Sequence, residues 1–281
     1  MLAVTGSTGR LGGRIARLLS EAGIRQRLLV RDPRRAPRLD GATVASATYD
    51  DRTAVRDALA GCETVLMVSA AESATRPAEH RTFVDAAAEA GARHLVYVSF
   101  YGAAPDATFT LARDHFHTEE HVKASGMAWT FLRDNLYLDF LPMLADADGV
   151  IRGPAADGRV AAVAQDDIAE VASVVLRAPE PHAGKSYSLT GPDAMNLEEV
   201  SAAMSEVLGR RYSFHDQTVE EAYASREHYG AADWQVDAWV STYTAIAAGE
   251  LAAVTDDVAR ITGREPRTLA DVLTAALPGT S

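Results

Sequence analysis

Cysteine is almost absent from this 281-residue chain: Cys62 stands alone. One thiol excludes an internal disulfide framework and a thiolate metal site. Lysine is nearly as rare. Only Lys123 and Lys185 occur, so arginine carries the positive charge, and any single arginine is a weaker functional signal than usual. Long apolar runs are missing too. None approaches the ~18 residues that a membrane-crossing helix needs, so no membrane partner is expected. The chain opens "MLAVTGSTGR", inside a predicted strand with no charged-then-apolar leader. Secretion is therefore not expected, and a reducing cytoplasm is the expected location.

What is present reads as globular. Apolar residues make up 47% and charged residues 23%, which excludes a disordered chain. The length suits one large domain or two small ones. The net charge of −12 argues against nucleic acid as a partner. That charge is uneven. Residues 1–60 carry 11 Arg against six Asp/Glu, and the remainder carries 16 Lys/Arg against 33 Asp/Glu. A basic N-terminal fifth suits a small phosphorylated ligand.

Up to about residue 133, short apolar runs alternate with helical stretches. "LAVT", "RLLV", "ATVA", "TVLMVSA", "HLVYVSF" and "AWTFLR" read as strands, with helices expected near 10–21, 51–60, 76–90 and 109–125. Strands apolar on both faces and spaced by helices predict a doubly wound parallel sheet of Rossmann type, an α/β class fold. After about 134 helical patterns dominate, with short strand candidates at 149–151, 159–163 and 186–189. The expected organisation is a nucleotide-binding domain over 1–134, with segments near 159–190 returning to it. A smaller, mostly helical substrate-binding cap is expected over 135–281.

The first strand runs straight into "GSTGRLGG". Gly6 permits the tight turn, Gly9 lets backbone N–H groups approach a diphosphate, and Gly12 lets the helix lie close on the sheet. Thr8, Arg10 and Leu11 between them are expected to share the contact. "LLVRDPRR" places Arg31 about 20 residues further on, where an arginine holds the extra phosphate of NADP and an acid holds the ribose of NAD. Arg31 and Arg35 favour NADP(H) over NAD(H). Asp32 speaks for NAD, and Arg34 and Arg35 also suit a solvated turn. Asp50 either lies near the adenine or caps the helix at 51–60. Ligands sit beyond the carboxyl ends of parallel strands. That makes Ser69 and Ala70 cofactor candidates, Ser99 a candidate for both cofactor-binding and catalytic roles, and Tyr101 a catalytic candidate. Aromatics such as Tyr101 and Tyr137 can also wall a pocket for a flat substrate. Trp234 and Trp239 are expected to pack between helices.

The segments "VTGSTGRLG", "LVRDP", "HLVYVSF", "ASGMAWTFLRDNLYLDFL", "VAQDDIAEVASVVL", "GKSYSLTGPDAMNLEEVSAAMSEVLGR" and "DDVARITGREPRTLADVL" resemble, in order, those of the NmrA-like family of atypical short-chain dehydrogenase/reductases. They are most similar to its NADPH:quinone oxidoreductase branch. The resemblance implies an NADP-binding Rossmann domain and a small C-terminal substrate domain. It places Asn135 and Tyr137 beside the nicotinamide. Typical short-chain dehydrogenases carry Y-x-x-x-K on the helix after strand five. Here the resemblance puts Leu111 at the Tyr position and His115 at the Lys position, where His115 can hydrogen-bond the ribose or donate a proton. A buried histidine with no catalytic role is the competing view. His117, Glu120 and His121 also match H-x-x-E-H. They are expected on the exposed part of the helix, with no metal bound.

The implied function is hydride transfer from NADPH to a quinone or a similar apolar, conjugated carbonyl substrate. Two alternatives stay open: a non-catalytic NADP(H)-binding redox sensor of NmrA type, and a reductase or epimerase of a biosynthetic pathway. A homodimer is compatible with the sequence.

Overall fold

The computed structural model describes residues 1–277. The chain divides into two compact units. The first comprises Met1–Phe100, Asp114–Arg133 and Asp166–Ser188. The second comprises Tyr101–Arg113, Asp134–Gln165 and Leu189–Ser281, whose last four residues lie outside the described range. One segment departs from the expected division. Residues 101–113 belong to the second unit, where the Thr108 N–H donates to Glu250 Oε2 (3.1 Å) and the Thr110 N–H to Ser241 Oγ (3.2 Å).

A seven-stranded sheet organises the first unit. Its strands are β1 (Leu2–Thr5), β2 (Gln26–Val30), β3 (Ala42–Ser46), β4 (Thr64–Val68), β5 (His94–Phe100), β6 (Ala128–Asp134) and, later, β8 (Lys185–Leu189). Their order is β3-β2-β1-β4-β5-β6-β8. The pairs β1–β2, β2–β3, β1–β4 and β4–β5 are parallel. The helices α1 (Arg10–Glu21), α2 (Arg52–Leu59), α3 (Arg76–Glu89), α4 (Thr110–Ala124) and α5 (Gln165–Arg177) alternate with the strands. The α/β class and the Rossmann-type sheet are as the alternation predicts.

The core follows from the apolar runs. Val65, Met67, Leu95 and Tyr97 of the sheet pack with Val55 and Leu59 of α2 and Phe83, Val84 and Ala87 of α3, all fully buried. At about 25 cal/mol per Å² of apolar area, such burial supplies most of the driving force for folding. The order of strand addition reverses between β1 and β4, because β2 and β3 lie on one side of β1 and β4 to β6 on the other. A crevice forms at such a switch point, beyond the carboxyl ends of the two strands.

The second unit is helical, with α6 (Leu197–Leu208), α7 (Val219–Ala224), α8 (Asp233–Ala247), α9 (Asp257–Thr262) and α10 (Leu269–Ala275). Its two-stranded sheet pairs β7 (Val150–Gly153) with β9 (Ser213–Asp216), in parallel. The strand expected at 159–163 is not built. Val160 and Val163 make only isolated bridges, to Met195 and Tyr137. That segment is apolar because it is buried, which a strand and a buried loop share. Among the described residues no helix is long and apolar enough to cross a membrane.

Candidate functional site

A cavity of about 530 Å³ opens in the first unit at the switch point. Gly6, Thr8, Gly9, Arg10, Leu11 and Gly12 form one side of it. The backbone dictates the glycines. Gly6 sits at φ +67°, a left-handed conformation that side chains strain to adopt. A Cβ on Gly12 would lie 2.4 Å from the Gly6 carbonyl oxygen and 2.9 Å from that of Thr5, so only hydrogen lets α1 start this close to β1. The N-cap of α1 is Gly9, which has no side chain to cap the first turn of the helix. An anion is a natural partner for the N–H groups of that turn, favoured further by the helix dipole. The Ser7 hydroxyl beside them is buried and has no hydrogen-bond partner. These features fit a dinucleotide's diphosphate.

Arg31, Asp50, Ser69 and Ala70 also line the cavity. Asp50 is not the cap of α2. Asp51 is, accepting from the Ala54 N–H at 2.9 Å, and Asp50 is left facing the cavity. Arg35 is exposed and stands outside the lining, and so does Asp32. Asp32 accepts from the Arg34 N–H (3.0 Å) and takes a two-pronged guanidinium contact from Arg34 at 2.9 and 3.0 Å. Those bonds hold its carboxyl below the usual carboxylate range. The one acid that would select the unphosphorylated coenzyme is thereby occupied as a turn cap. Arg31 lines the cavity.

His115 lies in the same unit. It is 8% exposed, its Nδ1 is 2.9 Å from the Tyr97 hydroxyl, and its ring lies 6.0 Å from that of Phe100. Burial, then the charge of Arg76, pushes its pKa well below the ordinary histidine value. The ring is therefore neutral at pH 7 and donates hydrogen bonds but does not act as an imidazolium acid. Arg76 is itself buried and paired with Asp114 at 2.9 Å.

Ser99 has a partner within the chain. Its hydroxyl donates to Glu119 Oε1 at 2.6 Å and is buried. Glu119, fully buried, also receives the Arg133 guanidinium at 2.8 and 2.5 Å. Ser99 thus joins the Glu119–Arg133 ion pair. Neither Glu119 nor Arg133 stood out as a pair in the sequence, because 14 residues and a turn separate them. Asn135 is fully buried, its Nδ2 donates to the Leu251 carbonyl (3.0 Å), and its Oδ1 accepts from the Leu136 N–H (2.8 Å). The side chain clamps two backbone segments inside the second unit.

Tyr101 and Tyr137 are brought together in the second unit around Asp134. The Tyr101 N–H donates to the Asp134 carbonyl (2.9 Å), and the Tyr137 hydroxyl donates to Asp134 Oδ2 (2.8 Å). The Tyr137 ring lies 6.4 Å from that of half-exposed Phe140. Asp134 is 1% exposed and its Oδ1 has no partner. Burial pushes its carboxyl up to about 8, partly offset by the Tyr137 bond. Sequence reading missed this acid, since nothing local marks a carboxyl for burial.

On α4, His117 and Glu120 are exposed. Glu120 accepts from Lys123 (2.7 Å), and His121 Nε2 pairs with Asp85 (2.8 Å). The three residues of the H-x-x-E-H match thus face separate neighbours.

Known proteins resemble this one along nearly its whole length. The family model described as NAD(P)H-binding matches residues 6–179, more than half of the chain. An NAD(P)H azoreductase of Xenophilus azovorans is 33% identical, with 96% of each chain covered. An NmrA-like family domain-containing oxidoreductase, flvB of Aspergillus flavus, is 26% identical over 94% of this chain and 90% of its own. The crystal structure of the Escherichia coli NADPH-dependent quinone oxidoreductase QOR2 complexed with NADPH superposes with a TM-score of 0.90, at 29% identity, covering 98% of this chain and 99% of that one. With the glycine cradle at the switch point, these likenesses lead to one assignment: the chain belongs to the NAD(P)H-binding family and is an NAD(P)H-dependent oxidoreductase.

Proposed function

We propose that the protein uses NADPH in preference to NADH and reduces a quinone or a similarly conjugated, apolar carbonyl compound. The observation that carries the coenzyme half is the pairing state at the end of β2. Arg31 lines the cavity while Asp32 is neutralised by Arg34. A guanidinium matches a phosphate monoester, whereas an unpaired carboxylate would repel it. Arg31→Ala should raise the NADPH dissociation constant about 10- to 100-fold, the worth of a charge-assisted contact, and change NADH binding by less than about threefold. Fluorescence titration with both coenzymes reads the difference. An equal loss for the two would remove Arg31 from phosphate recognition.

The substrate half is supported by what the site lacks. Leu111 stands where a tyrosine would supply an acid, His115 is neutral, and the Ser99 proton belongs to Glu119. A conjugated acceptor tolerates this, because the charge that arrives with the hydride spreads over its ring system. Bound coenzyme supplies the hydride, and water supplies the one proton that balances reduction of a quinone to a hydroquinone. The protein orients the reactants more than it moves protons. The names of the azoreductase and quinone oxidoreductase relatives fit such acceptors. NADPH consumption with a panel of quinones and azo compounds tests the reading. Tight, unequal binding of NADP and NADPH with no turnover on any acceptor would favour the redox sensor in its place.

His115→Ala should lower kcat about 10- to 100-fold, as removal of one preorganised donor does, with NADPH affinity within about threefold. Unchanged turnover would take His115 out of the reaction.

A further inference from the structure

His80, Tyr97, His115 and Thr118 form one buried hydrogen-bonded group in the first unit, joined to Ser69 and Ala70 of the cavity wall. Its proton positions follow from one end to the other. A backbone amide only donates, so the Ala70 N–H bond to His80 Nε2 (3.0 Å) requires a lone pair there. The neutral ring then carries its proton on Nδ1. That proton goes to Thr118 Oγ1 at 2.9 Å, and the Thr118 proton goes to the Asp114 carbonyl at 2.8 Å. The Tyr97 hydroxyl, 3.5 Å from His80 Nδ1, therefore meets a proton on that side and not a lone pair. Ser69 gives its proton to the Val98 carbonyl at 2.8 Å and stands 3.3 Å from the Tyr97 oxygen. Thr118, also beside the Tyr97 hydroxyl, is already taken up by His80 and the Asp114 carbonyl, so the short contact left for the Tyr97 proton is His115 Nδ1, at 2.9 Å. An acceptor at Nδ1 puts the His115 proton on Nε2, where no group among the described residues receives it.

The surroundings keep the group uncharged. His115 faces Tyr97 and Phe100 of β5, Arg76 and His80 of α3, and lies one residue from Asp114, the partner of Arg76. Burial and Arg76 hold His80 down to about 3. Burial pushes the Tyr97 phenol well above its ordinary value, so it keeps its proton to donate.

We propose that Tyr97 is a positioning residue for the reduction proposed above: its hydroxyl fixes His115 as the neutral Nε2–H tautomer, which offers a single aimed donor to a reactant oxygen. This rests on the reductase reading and specifies how its histidine works. No proton leaves His115 in the reaction; the ring donates a hydrogen bond throughout, and the proton that balances the hydride still comes from water. The tautomer is set by the hydrogen bond on the other ring nitrogen, as it is for metal-bound and catalytic imidazoles.

Histidine-ring 15N–1H correlation spectra test it, because the two neutral tautomers and the imidazolium give different cross-peak patterns. Wild-type His115 should show the Nε2–H pattern from about pH 6 to pH 9, since its proton affinity is displaced well below its ordinary value near 6.5. In Tyr97→Phe the pattern should become a mixture of tautomers, with kcat down about tenfold and NADPH affinity within about threefold, as expected when one donor loses its aim. A wild-type Nδ1–H or imidazolium pattern overturns the proposal. So does a Tyr97→Phe protein with unaltered spectrum and kcat. The wild-type spectrum decides the tautomer even if the variant does not fold. Failure of the reductase reading shows itself separately, as absent turnover in the wild type.

Discussion

Gly12→Ala is expected to abolish coenzyme binding at concentrations where the wild type is saturated. The added Cβ would lie 2.4 and 2.5 Å from the oxygen and carbon of the Gly6 carbonyl and 2.9 Å from the Thr5 oxygen. All three atoms are backbone, so no side chain can swing aside. Either α1 lifts off β1 or the Gly6–Gly9 turn shifts. Both move the N–H groups that form the anion seat. Overpacking of this kind costs roughly 1–3 kcal/mol of stability, and displacement of the seat removes the affinity as well. Neighbouring glycines supply graded controls. A Cβ on Gly13 would come 3.1 Å from the Ser7 oxygen, and one on Gly9 3.3 Å from the Gly6 oxygen, contacts that small adjustments relieve. Fluorescence titration with NADPH, beside thermal melts with and without it, ranks the three variants. A folded Gly12→Ala protein that binds NADPH within about threefold of wild type would place the coenzyme elsewhere.

The second large effect is on stability against pH. The Asp134 carboxyl sits at about 8 in the folded protein because burial penalises its charged form, against 3.8 for the exposed group. A folded-state value above the unfolded one means that the native state holds the proton more tightly. Its stabilisation is full below about pH 4 and is lost as pH rises through 8. Between pH 5 and pH 8 the loss amounts to on the order of 3–4 kcal/mol at 1.36 kcal/mol per unit. Asp134→Asn keeps an acceptor for the Tyr137 hydroxyl and does not titrate. Urea melts at pH 5 and pH 8 should show wild type losing stability across the interval and the variant losing several kcal/mol less, with the variant the more stable at pH 8. Parallel curves for the two proteins would show that Asp134 is ionised in both states.

The parts of the site legible in the sequence share one property: their physics is local. "GSTGRLGG" demands hydrogen at particular backbone positions, and those positions are set within a few residues by a strand turning into a helix. Arg31 could be placed because about 20 residues of helix and strand return the chain to the same edge. The alternation of apolar strands and amphipathic helices carried the sheet for the same reason.

What the sequence did not show is which distant partner each polar side chain meets. Ser99 ends a strand as an active-site serine would, but Glu119 takes its proton, and Glu119 is held there by Arg133. Asn135 follows β6 as a ligand-facing residue would, but the Leu251 carbonyl claims its amide across 116 residues. Both residue types are ordinary hydrogen bonders, and sequence spacing says nothing about which acceptor reaches them first. The histidine at 115 was visible as a candidate. Its protonation state was not, because burial in the folded chain, and then the charges of Arg76 and His80 on another element, determine it.

Sequence alone thus determined the fold class, the coenzyme loop and the arginine beside it, since covalent connectivity and backbone sterics act over short separations. Only the tertiary structure decided which polar groups remain available for chemistry. Burial and hydrogen-bond pairing depend on what the fold brings alongside, and they neutralised Asp32, engaged Ser99 and Asn135, and stripped His115 of its charge.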